Sequence, residues 1–151
     1  MNEFLLSTQR ANSCYQYIED NREKIDVKSC ESTVAAMPAF LRNNGLLHFV
    51  IYLIQNQENP AYEICLMVMK EQLVQRGLCP LQESEGNDKL LKYLLEGDIS
   101  ITTRMAIEAE ITELLVWLKA LLRAKVAVLK LKESGESPSS DTQQSGGKHG
   151  Q

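Results

Sequence analysis

The sequence has few of the residues that build metal sites. Its four cysteines form no Cys-x-x-Cys pair and are widely spaced, as Cys14, Cys30, Cys65 and Cys79. A structural zinc site draws on closely paired thiolates or imidazoles, and His48 is the only histidine before the last three residues. We therefore expect no metal, no cofactor, and four thiols buried as small apolar side chains in a reducing compartment.

Signatures of common catalytic sites are also missing, since the sequence contains no GxxxxGK[ST], GxGxxG, GxSxG or HExxH segment. His48 lies in an apolar run, where a core or boundary histidine is more common than a catalytic base. Glu108, Glu110 and Glu113 are expected to form one solvated helix face. No catalytic residue is assigned and no enzyme is expected, although a small helical enzyme acting through His48 stays as a third possibility.

Long apolar runs are absent as well. The run Phe4-Leu5-Leu6 is too short for a secretory leader. The longest run, residues 46–54, is about half of what a membrane span requires, so we expect a cytoplasmic protein without membrane contact. A formal net charge of −4 argues against a generally polycationic nucleic-acid binder.

Proline and glycine are scarce, at 4 and 8 of 151 residues, while 44% of the residues are hydrophobic and 24% are charged. This composition is typical of one helical globular domain. We predict an all-α fold: a compact bundle of five to six helices with a long C-terminal helix, over residues 1–132. Residues 133–151 are rich in Ser, Gly and Gln with a net charge of −2, which predicts a disordered acidic tail.

Local signals place the helix ends. Asn59 and Pro60 are typical of an N-cap and first helical position, and Asn87 is a second predicted cap. Pro38 is expected inside the second helix, where it would bend the chain, and Gly45 is expected to end that helix. The predicted helices span about 2–24, 29–43, 46–57, 60–76, 88–96 and 100–132.

The last predicted helix has two surfaces besides its leucine stripe. Lys119, Arg123 and Lys130 fall within about 40° of one another around the axis. Three aligned cations suit a run of phosphates, and a solvated face is the equally weighted alternative. On the other side, Trp117, Ala120 and Ala124 indicate either a central helix of the bundle or a partner interface, with the bundle core as the commoner case.

Two segments resemble a known family. One reads Met37-Pro38-Ala39-Phe40-Leu41-Arg42-Asn43-Asn44-Gly45-Leu46, and the other, in the last helix, reads Leu115-Val116-Trp117-Leu118-Lys119. At this separation they resemble the small helical subunit of the type III-B CRISPR (Cmr) effector complex.

The resemblance implies a non-catalytic subunit that stacks in several copies along the backbone filament in antiviral defence. Its implied partners are the backbone and large subunits, copies of itself, and guide and target RNA, with no small-molecule ligand. Arg42 and Lys119 are the implied RNA-facing residues, with Arg104 as the arginine that opens the last helix. Thr103 stands where the family usually has an aromatic, and Ala120 where it often has a second basic residue.

The main alternative is a helical protein-interaction adaptor that touches no nucleic acid. In that case, neutralising Lys119, Arg123 and Lys130 leaves function intact, whereas changes at Trp117 or Ala124 abolish assembly.

Overall fold

The fold is known from a computed structural model, which describes residues 2–82 and 84–136. Over these ranges the chain is all-α, with no strand. The all-α prediction and the long last helix are confirmed. The helices are α1 (Glu3–Asp20), α2 (Val27–Ala35), α3 (Met37–Gln55), α4 (Pro60–Gln75), α5 (Asn87–Glu96) and α6 (Ile101–Glu136).

Side-chain caps begin α1, α4 and α6, the last through the Thr103 amide and Ser100 Oγ at 3.1 Å. Asn59 Oδ1 accepts a hydrogen bond from the Ala61 amide at 3.0 Å, and Pro60 occupies the first position of α4, as predicted. Asn2 caps α1 in the same way, through the Leu5 amide at 2.9 Å. The predicted Asn87 cap is wrong by one residue, because Gly86 is the N-cap of α5 and Asn87 is already helical.

The boundary between the second and third helices differs from the prediction. The chain breaks at Ala36, which puts Pro38 in the first turn of α3 rather than inside a helix. A proline there costs little, because the first amides of a helix have no intrahelical acceptor. Gly45 is non-helical, with φ 86° and ψ 169°, and separates two helical segments that meet at a kink within α3, so the predicted stop at Gly45 is confirmed.

Three helices, α1, α4 and α6, form the centre of the bundle. Contacts between α1 and α6 advance along both helices together, from Arg10–Glu110 through Cys14–Leu114, so the two helices are parallel. Helix α4 runs antiparallel to α1, and α2 lies antiparallel along the C-terminal half of α6.

The core is apolar and includes all four cysteines, which are free and buried as predicted. Burying a large apolar side chain contributes about 1.5–3 kcal/mol before the entropy of ordering it is counted. Among the fully buried side chains are Phe49, Leu53, Ile64, Leu66, Met69, Leu90, Leu94 and Ile107.

The C-terminal part of α6 extends beyond the buried core, where it is covered only in part by α2 and the end of α1. Leu122 is its last buried residue, and 14 further described residues, about 21 Å of helix, follow it. Lys125 pairs with Glu19 at the end of α1. The helix continues to Glu136, four residues past its predicted end, and the rest of the predicted tail, residues 137–151, lies outside the described residues. No described helix has the length and apolarity needed to cross a membrane.

Candidate nucleic-acid interface

The core-facing side of α6 determines which of its residues point outward. Its side chains at helical spacing are buried, at 2% exposure or less: Ile107, Ile111, Leu114, Leu115, Leu118 and Leu122. Since each residue turns the helix by about 100°, these side chains occupy one arc. A neighbouring side of the helix, which flanks this arc, begins with exposed Ile101 and Met105 and passes through exposed Val116. Toward the C-terminus the same side carries cations.

Lys119, Arg123 and Lys130 form the basic face of α6. Lys119 is half-buried and Lys130 is exposed, and neither has an ion pair with any residue in 2–82 or 84–136. The Arg123 Nε lies 3.9 Å from Glu31 Oε1, and 60% of the arginine side chain is exposed. An ion pair this long and this exposed contributes about 0–1 kcal/mol to stability. A phosphate can therefore replace the Glu31 carboxylate as the partner of Arg123.

The basic face is long and rigid. A rise of 1.5 Å per residue separates Lys119 from Lys130 by about 16 Å along the axis. Cations held at fixed spacing on a helix can neutralise several phosphates of one backbone, and each contact releases condensed counterions. The face therefore suits a polyanion contacted along its length, without reading of its bases.

Arg42 lies beside the same side of α6. It is exposed on α3, one turn before Gly45, and makes no ion pair within the described ranges. Together with Glu108 and Thr112 of α6 it lines a groove of about 390 Å³. Thr112 and Lys119 are seven residues apart, two turns on one side of the helix. The fold thus places Arg42 on the side of α6 that continues into the basic face.

Arg104 is set apart from these cations. It is half-buried, and its Nη2 donates a 3.0 Å hydrogen bond to the Leu94 carbonyl near the end of α5. The last carbonyls of a helix lack intrahelical donors, so the guanidinium serves as a cap for α5. Its predicted RNA contact is untested and has less geometric support than that of Arg42 or Lys119.

The three residues of the predicted partner interface differ in how far they are buried. Trp117 is half-buried and packs against the apolar core, whereas Ala120 and Ala124 are exposed. Exposed alanines permit close approach of another helix, and their contact with a partner stays a prediction. Trp117 therefore stabilises the bundle, and the two alanines keep their predicted role as a docking surface.

One prediction about α6 is wrong. Glu110 does not lie on a solvated face with Glu108 and Glu113 but is 1% exposed. Arg10 donates two hydrogen bonds to it, at 2.9 and 2.8 Å, and Arg76 donates a third. The bond to Glu110 raises the pKa of Arg10. The spacing of apolar residues in α6 indicates this burial, because Glu110 is three residues after Ile107 and falls beside the leucine stripe.

The ionisable core groups have no nucleophilic character. Burial raises the pKa of Cys14 to about 12 and that of Cys30 to about 11, so both thiols are protonated at neutral pH. His48 is exposed, with Nδ1 3.3 Å from the Asn44 carbonyl oxygen of its own helix. Among the described residues, no group of three or more His, Cys, Asp and Glu side chains could hold a metal ion.

The model of one protein family, described as CRISPR-associated protein (Cas_Cmr5), matches residues 6–125. The chain belongs to the Cmr5 family. Cmr5 proteins are the small subunits of type III-B CRISPR complexes, as the two sequence segments predicted. No curated protein and no solved structure matches the chain.

The Cmr5 match includes most of the predicted RNA-facing residues. Arg42, Arg104, Lys119 and Arg123 fall within residues 6–125, and Lys130 falls outside them. The match ends three residues beyond Leu122, close to the point where α6 leaves the core. The C-terminal end of α6, residues 126–136, lies outside the segment that the family model matches.

Proposed function

We propose that this Cmr5 protein is a non-catalytic scaffold of a type III-B effector complex in the cytoplasm, where it takes part in antiviral defence. Several copies stack along the backbone filament, contact the backbone and large subunits, and hold the guide–target RNA duplex through its phosphates. The observation that supports this most strongly is the basic face of α6, with Lys119 and Lys130 unpaired among the described residues.

The proposed contact is to the RNA backbone and is independent of sequence. Lysine and arginine on one helix face position a phosphate backbone but carry no base information. Three contacts per copy give weak binding, and copies aligned along one duplex strengthen it through high effective concentration. The isolated subunit should therefore bind RNA weakly and in a strongly salt-dependent manner.

Charge reversal of the basic face tests the RNA contact. We expect the variant Lys119→Glu/Arg123→Glu/Lys130→Glu to lose RNA affinity, and its salt slope to fall by about one unit per lost phosphate contact. Fluorescence anisotropy of a labelled guide–target duplex, titrated at several salt concentrations, measures both quantities.

The matched control is Lys24→Glu/Lys89→Glu/Lys92→Glu, which has the same net charge but changes exposed lysines elsewhere on the surface. It should keep most of the affinity and the salt slope. Equal losses in both variants would show that only net charge matters and would contradict a specific basic face.

A protein-interaction adaptor without RNA contact is the second candidate. The exposed apolar residues Ile101 and Met105 at the start of α6, 78% and 64% exposed, favour a protein neighbour there. The adaptor function predicts that charge reversal of the basic face leaves assembly with the other subunits unchanged. The scaffold function predicts that the same variant weakens assembly when RNA is present.

A further inference from the structure

A groove near the end of α1 leaves large apolar side chains exposed. It has a volume of about 270 Å³ and lies between the end of α1, the start of α2 and the C-terminal part of α6. Val128 is 50% exposed and Leu129 is 37% exposed, and buried Ile18 and half-buried Ile25 and Val27 line the same groove. Exposed aliphatic residues gathered on one concave surface are typical of a site where another chain docks.

Cations line the groove together with these aliphatic residues. They are Arg22, Lys125 and Lys132, and none of the described residues that line the groove carries a carboxylate. Glu19 lies beside it, pairs with Lys125, and places its Oε2 3.8 Å from Arg22 Nη1. Arg22 is 70% exposed, and Lys132 is exposed with no ion pair to any residue in 2–82 or 84–136. After Glu19 is counted, the groove still carries net positive charge.

Two further carboxylates near the groove do not neutralise it. Glu133, next to Lys132 in the sequence, pairs with Lys28 at 3.8 Å. Asp26 lies between two lining residues in the sequence but lines a separate groove, together with Lys24. The charge of the groove is therefore complementary to an acidic ligand.

The groove is separate from the basic face of α6. Val128 is two residues before Lys130, which places the two side chains about 160° apart around the helix axis. Phosphates could pair with the cations of the groove but would leave its aliphatic side chains exposed to water. Residues 137–151 of the chain contain no large apolar residue, so they do not match the aliphatic lining either.

We propose that this groove docks an acidic amphipathic helix of a different protein subunit. Apolar side chains at steps of three and four along that helix pack against Val128 and Leu129, as amphipathic helices do in apolar grooves. Carboxylates beside them pair with Arg22 and Lys132. The inference rests on the proposed function only in placing the helix on another subunit of the complex.

The test uses the full chain and a synthetic peptide. The probe is a labelled, capped peptide of about 15 residues, built from Leu, Ala and Glu with leucines at steps of three and four. Fluorescence anisotropy measures its binding. We expect saturable binding, about tenfold tighter than that of the same peptide with Lys in place of Glu, because the cations of the groove repel the second peptide.

Leu129→Ser tests the apolar contact. It should weaken binding of the acidic peptide about tenfold, equivalent to about 1.4 kcal/mol. Leu131→Ser is the matched control, because Leu131 is 72% exposed on the same helix and does not line the groove. The control should bind normally. Both positions are exposed and lie beyond the last buried residue of α6, so both variants should remain folded, which circular dichroism checks.

Lys132→Glu tests the charge and separates this contact from the RNA contact. It should weaken binding of the acidic peptide about tenfold and change RNA affinity less than Lys130→Glu does. Lys130→Glu should weaken RNA binding and leave peptide binding unchanged. Failure of the docking groove is therefore distinguishable from failure of the basic face.

Equal binding of the acidic and basic peptides, or undiminished binding by folded Leu129→Ser, would overturn the proposal. Displacement of the peptide by RNA would assign the groove to a polyanion and would also overturn it. So would self-association of the chain that Leu129→Ser abolishes and the peptide reverses, because the occupant would then be a second copy.

Discussion

At the scale of single residues, Glu110 joins the three central helices. Its carboxylate lies on α6 and accepts hydrogen bonds from Arg10 on α1 and Arg76 on α4. Ion pairs that are buried offset their desolvation only when the geometry is good and every partner is present. The arginine side chains are 13% and 34% exposed, so each retains some water when the carboxylate is removed.

We expect Glu110→Gln to lower the free energy of unfolding by about 3 kcal/mol, because two guanidinium groups lose their common counterion in the bundle. Urea unfolding followed by circular dichroism measures this change. Glu113→Gln, on an exposed position of the same helix, should stay within about 0.5 kcal/mol. Similar values for both variants would mean that Glu110 contributes no more than a surface carboxylate.

Gly45 is held in a backbone conformation that is almost exclusive to glycine. A Cβ built there meets no atom within 4 Å, so steric contact with the rest of the fold does not limit substitution. With φ 86° and ψ 169°, the cost of another residue lies in the backbone itself.

Gly45→Ala should therefore lower the free energy of unfolding by about 1–3 kcal/mol. Gly135→Ala is the control, because that glycine is in the helical end of α6 and its Cβ would also meet nothing within 4 Å. The control should be neutral or slightly stabilising, as alanine favours helix. A Gly45→Ala protein as stable as the control would rule out the kink as a strained position.

At this scale, the sequence predicts features that depend on neighbouring residues and misses features that depend on residues far apart in the chain. The Asn59–Pro60 start of α4 is local and was predicted to the residue. The ion pairs of Glu110 were not, because Arg10 and Arg76 are far away in the sequence and no local pattern pairs them with it, although its place beside the leucine stripe indicates burial. The groove beside Leu129 is likewise visible only after α1, α2 and α6 are packed together.

At the scale of elements, α6 contributes buried residues to the core of the bundle and also carries the basic face. Its buried positions end at Leu122, and Lys130 lies on the C-terminal part that α2 covers only on one side. The leucine spacing predicted this helix and its basic face. The α2–α3 break was misplaced because a proline fits a first turn as well as a bend, and the sequence did not distinguish the two.

A chain ending at residue 125 should fold cooperatively, because it keeps every buried residue of α6. We expect it to bind RNA more weakly than a chain ending at residue 136, with a salt slope smaller by about one unit for the lost Lys130 contact. Thermal unfolding and anisotropy titration measure the two properties. Loss of cooperative unfolding in the shorter chain would show that the contacts of residues 126–136 with α1 and α2 are needed for the fold.

At the scale of the whole molecule, the net charge of −4 and the basic face have to be reconciled. Screening confines exposed charges to roughly 8–10 Å, so a local cluster of cations can bind a phosphate backbone on an acidic protein. Some cations elsewhere are engaged within the fold, as Arg10 and Arg76 with Glu110 and Lys125 with Glu19. Others, such as Lys24, Lys89 and Lys92, are exposed but are not aligned on one face of a single helix. The basic face therefore differs from them in its alignment, which suits a run of phosphates.

The most direct test is co-expression of this chain with the other subunits of its complex and a guide RNA, followed by native mass spectrometry. The scaffold proposal predicts more than one copy per RNA-containing complex, and loss of those copies at high salt or in Lys119→Glu/Arg123→Glu. A subunit that stays monomeric beside an assembled, RNA-loaded complex, or joins it equally well with the reversed charges, would contradict it.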